Sequence, residues 1–396
     1  MQGPDRFVVA SFARCGHDCF ARALEKRDLL DFYALGTRRG AQGVSAAHTR
    51  LQPIFGLLNY AGASLLPSRS ESFRFRLFPF FDRWLKSQLR PGQHLLTSYA
   101  FANTSMQWIK KHGGLTFIDA GNIHPKEFWD LLTEEAQRWG SPYPPVSRFF
   151  SEQALETANQ VDYVFAPSTF VRRSFLRRGF DEQRVFLYSY PVDLDVFRPP
   201  AQSRPSDRPL TILNTGLLCL RKGTPYLLEA FRLILKHEPR AVLRLTRVVA
   251  NDVRDVLRRF ADLPIEWTAP LGRADFVRRY QTSDIFVLPS IEDGFAFVVA
   301  EALACGLPVI TTPNTGASDL IRNGENGEVV AIRDPEAIAV AVLKWWTKVR
   351  DGHRPEASDQ LSKLSVEHFD RTVLGHLSEV GLAKGGKPLH PLVAQS

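Results

Sequence analysis

Seven residues separate Asp293 from Glu301, and Gly294 marks a turn between them into an apolar helical stretch. One carboxylate at a turn and another about two helical turns on can accept hydrogen bonds from hydroxyls of a sugar and a ribose. At Gly294 the first N–H groups of a helix lack intrahelical partners, which favours an anion. Lys222, directly before Gly223 at a strand-to-helix junction, adds a point charge suited to phosphate, and Arg221 precedes it. His124 follows one apolar run and opens a helical one, so its ring can project from a strand end. Plainer readings stand beside these. Asp293 can be a helix cap, Glu301 a solvated helix residue, Arg221-Lys222-Gly223 a surface turn and His124 a structural histidine.

The elements that must position these residues are legible in outline. Short apolar runs over 7–12, 115–119, 163–166, 210–213, 241–246, 285–288 and 307–311 read as buried strands. Helical patterns separate them; over 225–237, Leu227, Leu228, Phe231 and Leu235 recur at helical spacing. Strands alternating with helices predict α/β architecture, parallel sheets covered by helices. The proline-rich, polar stretch 199–208 has linker chemistry. It sets off a first domain over 1–198 and a second over 209–360. A helical segment over 361–383 can cross back to the first domain, and 384–396 reads as a flexible tail.

Hydrophobic residues make up 44% and charged residues 23% of the 396, a globular balance. No apolar run approaches the roughly 18–20 residues that a membrane-spanning helix needs. A secretory leader is not expected, because Asp5 and Arg6 precede only a short apolar stretch. Four cysteines in no paired spacing suit a reduced, cytoplasmic chain without a zinc site. Of the formal net charge of +8, the excess lies early: residues 1–111 hold 16 Lys and Arg against 7 Asp and Glu. That bias suits phosphate, nucleic acid or an acidic membrane face, with a solvated surface as the even alternative. Aromatics and cations interleave over 72–90, which fits a lipid head-group surface or an anionic, lipid-linked acceptor; the alternative is a helix with a buried aromatic face. The loop Ala13-Arg14-Cys15-Gly16-His17 lacks the Gly-x-Gly-x-x-Gly fingerprint, which counts against a dinucleotide enzyme.

Residues 284–327 resemble the acidic signature of family 4 retaining glycosyltransferases (glycosyl transferases group 1): Glu, seven residues, Glu, with Gly-Phe-Gly after the first acid. Here the run is Asp293-Gly294-Phe295-Ala296, ending at Glu301, with Asp for the first acid and Ala for the last glycine. Residues 215–231 resemble the segment with the diphosphate-binding lysine, at Lys222; the family's arginine five residues earlier is Leu217 here, and Arg221 is the candidate substitute. Residues 163–199 resemble the end of the family's first domain, with Pro191 in place of its glycine. Residues 266–284 resemble the base-cradling strand and loop, with Leu271 and Gly272 at the turn, and 115–140 the region of the active-site histidine, at His124.

The resemblance implies a GT-B fold, two Rossmann-like domains facing across a deep interdomain cleft. It implies a retaining, metal-independent transfer of a sugar from a UDP- or GDP-type nucleotide sugar, the co-substrate, with no further cofactor. The acceptor would be a saccharide, a lipid-linked molecule or another hydroxyl, as in polysaccharide biosynthesis. His124, Asp293 and Lys222 would be catalytic. Gly16, Arg221, Lys222, Leu271, Gly272, Asp293, Gly294, Phe295, Ala296 and Glu301 would hold the donor, with no metal ligands. Peripheral contact with the inner face of an anionic membrane is open and nucleic acid is not expected. A non-catalytic nucleotide-sugar sensor on the same fold is the alternative.

Overall fold

The structure, a computed structural model, describes residues 5–12, 16–37, 43–65, 70–143, 147–201, 205–269, 272–355 and 359–382. Leu271 and the tail 384–396 lie outside the described residues. The chain forms two compact units: one draws on Met1–Asp119, Glu152–Phe165 and Phe369–Ser396, the other on Ala120–Ser151 and Ala166–His368.

In the first unit, β1 (Arg6–Ser11), β2 (Leu30–Leu35), β3 (Thr49–Leu51), β4 (Gln93–Thr97), β5 (Thr116–Asp119) and β6 (Tyr163–Ala166) follow the spatial order β3-β2-β1-β4-β5-β6. The pairings are parallel, with Val9 of β1 opposite Leu96 of β4. Both faces of β1 are buried, which is why residues 7–10 run as a continuous apolar stretch rather than alternating. Helix Val366–Glu379 packs here against the first helix of the chain. Phe369 packs edge-on against Phe20, with ring centroids 5.0 Å apart, and Lys26 pairs with Asp370 at 2.6 Å.

The second unit adds β7 (Val185–Leu187) and a six-stranded parallel sheet. Its strands are β8 (Thr211–Asn214), β9 (Val242–Thr246), β10 (Ile265–Thr268), β11 (Ile285–Leu288), β12 (Val309–Thr311) and β13 (Gly327–Val329), ordered β10-β9-β8-β11-β12-β13. The order reverses between β8 and β11, and loops at such a point diverge to leave a crevice beyond the strand ends. At the opposite end, Asp284 accepts from the Arg208 guanidinium at 2.8 Å and from the Thr211 N–H at 2.9 Å, which aligns the starts of β8 and β11. Helix Thr224–Ile234 presents Leu227, Leu228 and Phe231 to this sheet and packs beside helix Pro335–Arg350, whose Trp345 is fully enclosed.

Helix Pro125–Arg138 belongs to the same unit. Its buried Glu135 accepts from the Tyr226 hydroxyl at 2.7 Å, the Trp139 indole at 3.1 Å and the Arg333 guanidinium at 2.8 Å. A carboxylate without water needs such a set of donors, and here they fasten the helix to Thr224–Ile234. Among the described residues, no helix is long and apolar enough to cross a membrane.

Candidate active site

The loop after β8 runs through Gly216 into a short turn, Leu220–Lys222, that ends at Gly223. Gly223 has φ +67°, and a side chain there would drive into the Pro289 carbonyl, so only glycine lets this loop lie against the end of β11. The Ile291 N–H donates to the Arg221 carbonyl at 2.9 Å, and the Glu292 N–H to the same oxygen at 3.2 Å. Lys222 and the acidic loop are thereby held side by side at the switch point of the sheet.

The two neighbouring acids have different surroundings. Glu292 is fully buried; its carboxylate accepts from Arg221 Nη1 at 3.0 Å, from Asn122 Nδ2 at 3.0 Å and from the Ile123 N–H at 3.2 Å. Burial pushes its carboxyl up, opposed chiefly by Arg221. Asp293 has a fixed backbone, its N–H donating to the Asn314 carbonyl at 2.9 Å and its carbonyl accepting from the Gly316 N–H at 2.8 Å. Its carboxylate meets the Lys222 ammonium.

Gly294 comes next, and a Cβ there would collide with the Gly121 carbonyl, so the segment before His124 lies directly on this turn. The Gly294 carbonyl accepts from the Ser168 hydroxyl at 2.7 Å. Phe295 is buried against Tyr190, with centroids 5.4 Å apart, and Tyr190 also meets Phe297 at 4.8 Å. Ala296 sits at φ +65°, immediately before helix Phe297–Ala304. On that helix, Glu301 accepts from the Tyr280 hydroxyl at 2.8 Å, and Tyr280 is 3.2 Å from the Thr215 hydroxyl. Burial raises both the Glu301 carboxyl and, far more, the Tyr280 phenol.

His124 is the N-cap of helix Pro125–Arg138, with Nδ1 accepting from the Lys126 N–H at 3.3 Å. Its ring is enclosed by Phe175 and Phe180, with centroids at 5.3 and 6.0 Å. Burial, helped by Arg178 and opposed by Glu127, lowers its pKa to about 4, so the imidazole is neutral at pH 7.

The structure therefore gathers Arg221, Lys222, Asp293, Gly294, Phe295 and Ala296 in one place, links Glu301 through Tyr280, and reaches His124 through Gly121–Ile123. Gly272 begins helix Arg273–Gln281 in the same unit, and Gly16, at φ +81°, opens helix His17–Glu25 in the other. Sequence reasoning missed Asn122, Ser168, Tyr190, Tyr280 and Asn314. Their partners lie 21 to 170 positions away, and nothing local singles them out.

A lysine and a carboxylate thus meet on adjacent loops at the switch point of a parallel sheet, the place where α/β domains commonly bind ligands. Residues 209–348 match the family model described as Glycosyl transferases group 1. The D-inositol 3-phosphate glycosyltransferase of Frankia alni is 32% identical over 275 residues, 65% of this chain and 62% of that relative, so the chain spans about three-fifths of that relative's length. Its counterpart in Thermomonospora curvata is 27% identical over 305 residues, 70% of this chain and 68% of the relative. The fold is GT-B, like that of Anabaena Alr3699/HepE solved with UDP and glucose; that structure matches with TM-score 0.64 at 14% identity, covering 95% of this chain and all of the other.

Two consequences of this geometry can be measured. Alanine pays a left-handed penalty at position 296 that glycine avoids, partly offset by glycine's freer unfolded chain. Ala296→Gly should therefore raise unfolding free energy by about 0.5–1 kcal/mol in urea melts; a loss of stability would contradict the strained helix entrance. Below an ordinary histidine pKa of 6.5, the unfolded chain takes up a proton that folded His124 refuses until about pH 4. Stability should thus fall as pH drops through that window, and His124→Gln should flatten the fall between pH 7 and pH 5. An unaltered slope would mean that the ring is not buried neutral.

Proposed function

We propose that this chain is a retaining glycosyltransferase that moves a sugar from a UDP- or GDP-type nucleotide sugar to a saccharide, lipid-linked or other acceptor without a metal ion. The observation that carries the reading is the pairing of Lys222 with the Asp293-Gly294 turn at the β8/β11 switch point, inside the segment that matches the family. The named activity of the relatives and the UDP in HepE support it further.

In this reading the diphosphate lies over the Leu220–Gly223 turn, with Glu301 and Gly272 on the nucleoside side. The acceptor oxygen attacks the anomeric carbon from the face that the diphosphate leaves. The breaking bond's electron pair stays on the diphosphate, and Lys222 meets the charge that grows there, a task otherwise given to a divalent ion. Asp293 accepts from a hydroxyl of the transferred sugar. Arg221 contributes by holding Glu292, and His124, neutral with Nδ1 occupied, positions the sugar through Nε2. Gly16 and its loop are assigned to donor phosphate, and the domain boundaries near 198 and 209 remain those of the sequence reading.

Lys222→Ala should cost about 2–4 kcal/mol of transition-state stabilisation, roughly 30- to 1000-fold in rate. The assay is release of free nucleoside diphosphate, run after a thermal-shift panel of uridine, guanosine and adenosine diphosphates and their sugars has identified the donor. Donor binding without any diphosphate release would favour the sensor reading, and near-normal turnover in the variant would remove Lys222 from the site.

Peripheral membrane contact is the second part of the proposal, supported by two helices of the first unit. Helix Pro53–Leu65 contains no charged residue, and Leu57 and Tyr60 are 69% and 75% exposed. On helix Ser70–Gln88, Phe80 is 61% exposed with Arg76, Arg83 and Lys86 beside it, while Asp82 turns inward to the Thr104 and Ser105 N–H groups. Apolar side chains flanked by cations suit an anionic bilayer face. Vesicles containing phosphatidylglycerol should pull down the protein, neutral phosphatidylcholine vesicles should not, and Leu57→Glu with Phe80→Glu should abolish the effect. Equal retention by both vesicle types would refute an electrostatic docking face.

A further inference from the structure

Glu292 and Asp293 adjoin in the chain, yet they are held in opposite ways. Glu292 is satisfied by Arg221, Asn122 and the Ile123 N–H, and its carboxylate has no exposure. Asp293 has its backbone fixed on both sides, but among the described residues only Lys222 donates to its carboxylate. Lys222 in turn has Asp293 as its one described side-chain partner. Both side chains keep a little access to solvent, 18% for the lysine and 11% for the aspartate. The lysine's Cα cannot retreat, because Gly223 is wedged against Pro289.

We infer that the Asp293 carboxylate is a built-in occupant of the diphosphate site: it holds Lys222 while the site is empty, and the incoming diphosphate must displace it. This rests on the donor-site reading above and adds to it an order of events. A half-buried ammonium left alone would be costly, and the carboxylate removes that cost in the empty protein. A diphosphate carries more charge than a carboxylate and wins the exchange, but its net affinity is reduced by the pair that it breaks and by repulsion from Asp293. Because the Asp293 backbone is pinned, the exchange is a rotation of one side chain. It releases the carboxylate only when phosphate has arrived, and the released acid then accepts from the transferred sugar. The same lysine thus serves two anions in turn.

Binding of inorganic pyrophosphate, UDP and GDP is measured by calorimetry on wild type, Asp293→Asn, Lys222→Ala and the double variant, each checked for cooperative melting. Asp293→Ser serves if the asparagine variant does not fold. Asp293→Asn should bind the preferred diphosphate about tenfold more tightly than wild type, since removing a like charge from an anion site is worth at least that. Its turnover should nevertheless fall, a split between binding and rate that a merely structural acid would not produce. In the Lys222→Ala background the gain from Asp293→Asn should shrink, the mark of two groups that act on each other. If Lys222→Ala weakens diphosphate binding and Asp293→Asn leaves it equal or weaker, the donor site stands and the displacement is wrong. If none of the probes binds wild type, or Lys222→Ala leaves binding unchanged, the donor-site reading falls and takes the displacement with it.

Discussion

The buried carboxylate of Glu292 is the constraint around which the second unit's site is organised. Taking a carboxylate out of water is costly by several kcal/mol unless donors replace the lost hydration. Here the donors come from two distant stretches: Arg221 in the loop after β8, and Asn122 with Ile123 in the segment that precedes His124. One side chain therefore fixes the relation between the Leu220–Lys222 turn, the acidic loop and the start of helix Pro125–Arg138. Removal of Glu292 or Arg221 alone would strand the other charge in the interior. The pair is better understood as holding the loops in place than as a source of net stability.

Backbone contacts supply the rest of that rigidity. Gly223 against Pro289, Gly294 against Gly121 and Gly316 against Gly294 leave no room for a Cβ, so three loops touch main chain to main chain. Contacts of this kind cannot adjust by changing a rotamer. Lys222 and Asp293 are in consequence two paired side chains on fixed backbone. The clamp at Glu135, with Tyr226 and Arg333, holds the far end of the histidine-bearing helix in the same way.

Much of this was readable from the sequence, for definite physical reasons. The strands expected at 7–12, 115–119, 163–166, 210–213, 241–246, 285–288 and 307–311 all occur within about two residues, because strands buried on both faces are continuous apolar runs. Strands Leu30–Leu35 and Gln93–Thr97 were not picked out; polar Asp31, Gln93 and His94 interrupt their patterns, and each has a tertiary partner that excuses it, such as Asp31 for Gln93. Lys222, Asp293 and Glu301 stood out in the sequence by their charge beside the glycine turns, and the family resemblance is what singled them out. Glu292's part was not, since its partners lie 71 and 170 residues away and a buried glutamate looks in sequence like any surface one. The enclosure of His124 by Phe175 and Phe180 was equally hidden: a strand-end histidine has the same sequence context whether its ring is open or covered.

The division of labour between two adjacent acids follows from what each one reaches: Glu292 turns into the protein toward Arg221, Asn122 and the Ile123 N–H, and Asp293 toward Lys222. The chain length of each acid then makes sense. The longer glutamate spans the gap to the Asn122-Ile123 segment, and the shorter aspartate stops at the lysine beside it. Exchanging the two would leave Asn122 without its acceptor and would crowd a longer carboxylate against Lys222. Ala296 completes the pattern, since a left-handed residue there swings the chain from the Gly294 contact into helix Phe297–Ala304 and thereby aims Glu301 at Tyr280. Strain at one alanine is tolerated because the backbone is tied just before it, by the Ala317 N–H to the Phe295 carbonyl and Ser168 to the Gly294 carbonyl, and just after it, by the Val299 N–H to the Ala296 carbonyl.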